Sequence, residues 1–103
     1  MKIKWTATAT RGKQNVASYI RRRFGDSYRT DFLQEVRETV QVMKRHPDVG
    51  PIEPLLADLP QTYRSVVVAR LSKIVYFIDG DVIYIADFWD CRREPATLAG
   101  QVK

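Results

Sequence analysis

The stretch IVYFIDGDVIYIADFWDCRREP, Ile74 to Pro95, holds two apolar runs joined through Asp79-Gly80 and then breaks into charge at Asp90, Arg92, Arg93 and Glu94. An Asp-Gly pair between β-rich runs is the strongest short-range signal for a two-residue hairpin turn. In Ile74–Ile78 the residues Ile74, Tyr76 and Ile78 fall on one side of a strand and Val75 and Phe77 on the other. Both faces are then apolar, which places the strand centrally in a sheet. The charged end is either the solvated end of a strand or a group of side chains that the sheet holds in place.

Upstream, Thr62–Ala69 around VVV is a third β-rich run, beside Ser72–Asp79 and Val82–Trp89. Residues 46–61, HPDVGPIEPLLADLPQ, carry four of the five prolines and read as an ordered, irregular connection, with Leu55, Leu56 and Leu59 expected to pin it to the core. Before it, Tyr28, Phe32, Leu33, Val36, Val40 and Met43 repeat at helical spacing. That helix is expected to start at a capping Asp26 or Ser27 and to stop before Pro47, with Lys44 and Arg45 at the negative end of its dipole. An earlier helix, about Ala7 to Phe24, shows Val16, Ile20 and Phe24 along one stripe, and Gly25 supplies a left-handed closing residue. Two or three residues between the helices predict an antiparallel hairpin. At the start, Lys2 to Thr6 alternates with Ile3 and Trp5 on one face, the pattern of a half-buried strand. The order β-α-α-β-β-β predicts an α+β fold: an N-terminal strand and an antiparallel helix hairpin packed on an antiparallel-rich sheet of about four strands.

Composition limits the class. The 103 residues suit a single domain over 1–103, and 45% hydrophobic with 28% charged residues is the balance of a chain that folds. The first residues lack an apolar signal core and no run is long and uncharged enough to span a bilayer, so a cytosolic, membrane-free protein is expected. One cysteine, Cys91, excludes an internal disulfide, and with His46 as the sole histidine no zinc spacing exists; no cofactor or metal is expected. Net charge is +5, and it is uneven: residues 1–51 hold eleven Lys/Arg against five Asp/Glu (+6), residues 52–103 six against seven (−1). Such a chain attracts anionic partners, nucleic acid or acidic polypeptide, in a salt-dependent way.

A strand ending in Trp5, a helix closing on RRFG (Arg22 to Gly25), a second helix with FLQEV, then RHPDVG, YRSVVVARLSKIVYFID and a final CRREP together resemble the RelE/ParE superfamily of bacterial toxins. The resemblance covers nearly the whole chain, and its most specific parts are KIVYFID followed by RREP. It implies the toxin of a type II toxin–antitoxin module, a plasmid-stabilisation type of system, neutralised by a cognate antitoxin and able to form a higher-order toxin–antitoxin oligomer. RelE-like members cut mRNA on the ribosome, whereas ParE-like members block DNA gyrase without acting as nucleases. By resemblance, Arg64, Lys73, Arg92 and Arg93 are the target- or substrate-binding residues, and Lys73, Arg92 and Arg93 would serve catalysis in a nuclease.

RNA cleavage needs a base for the 2′-hydroxyl, cations for the phosphate and an acid for the leaving oxygen. Arginine supplies charge but is a poor proton carrier. The tail EPATLAGQVK lacks the tyrosine or histidine that RelE-like nucleases place after their arginines, and Asp90-Cys91 stands where some relatives carry histidine. Lys73 could act as a base only if desolvation lowered its pKa; His46 reads as a helix cap, and Cys91 as a small buried residue. The reading therefore favours a ParE-like gyrase inhibitor. A RelE-like ribosome-dependent endoribonuclease is the alternative, and a non-toxic basic nucleic-acid-binding module the second. Arg21, Arg22 and Arg23 cannot share one helical face, so most of that run is expected to be solvated. Trp5 and Trp89 read as core aromatics, and Asp87 and Asp90 as partners for nearby arginines.

Overall fold

A computed structural model describes residues 1–91. The elements follow as β1 (Lys2–Trp5), α1 (Ala7–Phe24), α2 (Asp26–Arg45), a short 3-10 turn (Pro54–Leu56), β2 (Arg64–Val68), β3 (Ser72–Asp79) and β4 (Val82–Asp90). The sheet order is β1-β4-β3-β2, with β1 parallel to β4 and the other pairs antiparallel. The expected α+β fold is present, and β3 lies between two strands as its two apolar faces require. Ile74, Tyr76, Ile83, Ile85 and Phe88 of the sheet form one core with Ala9 and Ala17 of α1 and Phe32, Val36 and Met43 of α2.

Helix α1 begins where Thr6 accepts a hydrogen bond on Oγ1 from Ala9 N (3.1 Å), while the same hydroxyl donates to Ala86 O (2.9 Å). That carbonyl is available because β4 bulges: Val75 pairs with Asp87 but Tyr76 with Ile85, leaving Ala86 outside the ladder. The cap thus ties helix start to sheet. Close approach follows at Gly12, where an added Cβ would lie 2.4 Å from Phe88 O.

Several local expectations need correction. A single residue, Gly25, links the helices, and with φ 101° and ψ 176° it is neither left-handed helical nor accessible to other residues without strain. Since α2 starts directly after it, neither Asp26 nor Ser27 caps α2; Asp26 sits in the first turn and accepts from Arg21 Nε at 2.9 Å instead. At the β3–β4 hairpin, Asp79 pairs with Val82, so the two loop residues are Gly80-Asp81. Gly80 has φ 62° and Asp81 does not share the positive φ, the pattern of a Gly-first type II′ turn. Leu55 is exposed, and only Leu56, with Leu59 in support, reaches the second core cluster around Val75 and Trp89. Cys91 is exposed where the strand ends.

Candidate functional site

The sheet separates the two cations that the sequence placed together. Arg64 pairs in register with Tyr76, on the side that faces the helices, whereas Lys73 lies one residue out of phase with Ile74 and faces the opposite side. Arg64 Nη1 donates to Gly50 O at 2.8 Å. Beside it the Tyr76 hydroxyl donates to Pro47 O (2.7 Å) and accepts from Gly50 N (3.0 Å). Burial pushes the Tyr76 hydroxyl pKa up, the bond from Gly50 opposing that shift. Together these two side chains clamp the segment that leaves α2.

Lys73 has a different partner. Its Nζ lies 2.7 Å from Oε1 of Glu53, whose side chain is wholly buried while that of Lys73 is 28% exposed. Glu53 also accepts from Leu55 N (3.3 Å) and, at the limit of a hydrogen bond, from Ser65 Oγ (3.4 Å), so it caps the 3-10 turn and holds the connection against β2 and β3. A lysine committed to a buried carboxylate is not available as the general base of a nuclease. Nothing in the local pattern IEPLL announces a buried acid; the only cue is its place before Pro54, where a capping acceptor fits.

Arg92 and Arg93 lie outside the described residues, and no structural role is attached to them. At the end of β4, Asp87 is buried and accepts from Trp89 Nε1 (3.0 Å) and Phe88 N (2.8 Å). Trp89 is a core residue, as expected, and Trp5 is half-buried against the main core with Lys13 Nζ 4.5 Å from its ring centre. Partial desolvation raises the Cys91 thiol pKa more than nearby Lys73 lowers it, which disfavours a thiolate nucleophile. His46 occupies the end of α2, its N–H donating to Val42 O at 2.8 Å.

A surface that the sequence did not announce lies at the tip of the helix hairpin. Phe24 and Tyr28, read as stripe residues, are 56% and 60% exposed, their ring centres 5.8 Å apart. With Ile20, Phe32 and the exposed Leu71 they line an apolar groove of about 460 Å³. One wall is the β2–β3 loop, in which Ala69 and Arg70 both take positive φ (50° and 66°), a costly conformation for residues with a Cβ. Glu35 of α2 accepts from Ala69 N, Leu71 N donates to Ala69 O (2.7 Å), and Cys91 N donates to Leu71 O (2.7 Å). Those bonds fix the loop so that Leu71 stands out of the fold. Around the hairpin, Arg21, Arg22 and Arg23 are all exposed, and the first two line an open recess with Arg29 and Asp26.

Among the described residues no helix is long and apolar enough to cross a membrane, and no group of three acidic, histidine or cysteine side chains is placed to hold a metal. Residues 3–95 match the family model of the ParE toxin of type II toxin–antitoxin system, parDE. Among solved structures, a chain of the chromosomal ParDE toxin–antitoxin system from P. aeruginosa is similar with a TM-score of 0.69 and 19% identity, covering 85% of this chain and 92% of that one. At that identity the likeness speaks for the fold. No curated protein matches the sequence significantly.

Proposed function

The chain belongs to the ParE toxin family of type II toxin–antitoxin systems, and on that premise we propose that it inhibits growth by binding DNA gyrase and is neutralised by a cognate antitoxin. The observation that carries the choice of binding over RNA cleavage is the Lys73–Glu53 pair. The lysine that a nuclease would offer to the scissile phosphate or to the 2′-hydroxyl is engaged by a buried carboxylate from the connection, and Arg64 is engaged on the far face. Both cations then serve to hold a surface in shape. For the antitoxin, the groove between the hairpin tip and the β2–β3 loop offers exposed apolar side chains in one place, as a protein partner requires.

Induction of the chain in cells, with replication and translation followed separately, tests the target. Replication should stop first, and purified chain should stabilise gyrase–DNA cleavage complexes. Codon-associated cuts in translated mRNA, abolished by Arg92→Gln and Arg93→Gln, would instead establish the ribosome-dependent nuclease.

A further inference from the structure

The two flanks of α2 carry charge of opposite sign. Asp31, Glu35 and Glu38 follow at i, i+4 and i+7, and Glu35 accepts from Ala69 N, so this acidic stripe turns towards the β2–β3 loop. Arg29 and Arg37 instead meet side chains of α1. Arg29 shares an open recess with Arg21 and Arg22, and Arg37 shares a second one with Lys13 and Trp5. Among the described residues, Asp26 is the one acid that lines either recess, and it is bonded to Arg21 at 2.9 Å. Neither Arg22 nor Arg29 forms an ion pair within the described residues, and Arg37 donates to a neutral partner, Gln34, at 2.7 Å. Residues 92–103 add three cations and one acid, Glu94, and a single carboxylate cannot neutralise this face.

Exposed arginines on a helix are usually no more than solvated charge. Segregation of the signs sets this face apart: the helix hairpin collects cations between α1 and α2 and sends the acids of α2 to the other flank. We propose that the exposed face of the hairpin binds the phosphate backbone of duplex DNA, independently of sequence. Arginine forks and hydroxyls are the side chains that hold phosphate oxygens, and the first recess is lined by three arginines with Ser18 and Thr30. Arg29 and Arg37 stand eight residues apart, about 12 Å along the helix, which matches the width of the major groove between its two phosphate rows. A single strand fits less well, because no ring lines the arginine recess for a base to stack on. An acidic polypeptide also fits less well, because that recess offers no apolar side chain for the core of a protein interface. Binding to free duplex is read without gyrase, so it can fail while the proposed function stands, and hold if that function fails.

Fluorescence anisotropy with two labelled 20-base-pair duplexes of unrelated sequence, titrated from 50 to 200 mM salt, tests it. Both duplexes should bind alike, and more weakly as salt rises. Arg22→Gln/Arg29→Gln, two exposed changes, should weaken binding about tenfold or more and lower the salt slope by roughly 1.8, since each phosphate contact contributes about 0.9. Lys2→Gln/Lys4→Gln removes the same charge from the side of β1 opposite Ile3 and Trp5, away from the helices, and should leave affinity and slope nearly unchanged. Three results overturn the proposal: no duplex binding at 50 mM salt, equal losses in the two double variants, or tighter binding of oligo(dT) or polyglutamate than of the duplexes.

Discussion

Without its ammonium partner, Lys73, the Glu53 carboxylate would stay buried with, among the described residues, only the Leu55 amide and the Ser65 hydroxyl to satisfy it. Breaking a buried pair costs about 3–5 kcal/mol, and since Lys73 is partly in solvent, Lys73→Met should cost roughly 2–3 kcal/mol. Adding Glu53→Gln to Lys73→Met should restore part of that loss, which denaturant titration of the single and double variants measures. If Lys73→Met alone proved neutral, the pair would have no structural role. Tyr76 offers a pH test. Because burial raises its folded-state pKa above the ordinary value of about 10, the native state keeps a proton that the unfolded chain releases between the two values. Stability from this group is therefore full below pH 10 and falls as pH rises through the folded pKa. Unfolding midpoints from pH 8 to 11 should show a steeper alkaline loss in the wild type than in Tyr76→Phe. Lys73 and Arg64 were legible in the sequence as candidate cations, but their partners were not. Glu53 and Gly50 lie 20 and 14 residues away from them, and no local pattern encodes such a meeting.

At the level of the element, α1 depends on its approach to β4. Alanine in place of Gly12 would gain about 1 kcal/mol of helix propensity but would press a methyl group into the Phe88 backbone carbonyl. Backbone cannot rotate aside as a side chain can, so overpacking of about 1–3 kcal/mol should win. Thermal melting of Gly12→Ala should thus show a lowered midpoint; an unchanged or raised one would mean that α1 shifts freely on the sheet. Thr6→Ala removes both the bond that caps α1 and the donor to the bulged Ala86 carbonyl, and should cost about 1–2 kcal/mol in the same measurement. The helices were readable because their apolar stripes extend over several turns, as Val36, Val40 and Met43 do on α2. The joints were not. Whether Asp79 pairs or turns depends on which residue meets Val82, and the Gly80-Asp81 loop follows from the twist that the paired strands need. The bulge at Ala86 also escapes the sequence, because one extra residue reverses the alternation and sends Asp87 and Trp89 away from the helices while Phe88 joins them.

For the whole molecule, an antitoxin that binds the folded chain and not the unfolded one must stabilise it by mass action, about 2.7 kcal/mol at a hundred times the dissociation constant. For a chain of this size, the melting midpoint should rise by roughly 10 °C or more on adding antitoxin. Leu71→Asp, at an exposed position on the groove wall, should leave the midpoint of the free chain almost unchanged while abolishing much of that rise. An undiminished rise would move the antitoxin to another surface. The sequence by itself determined the element order, the central place of β3, the amphipathic helices and the excess of positive charge, because each is written in local periodicity or in simple composition. Only the tertiary structure decided which face of the sheet Arg64 and Lys73 each use, that Glu53 is buried against Lys73, and that Phe24, Tyr28 and Leu71 are left exposed around one groove. Periodicity says that a stripe of side chains is apolar. It does not say where the opposing sheet stops, and that boundary is what separates a core residue from one left for a partner.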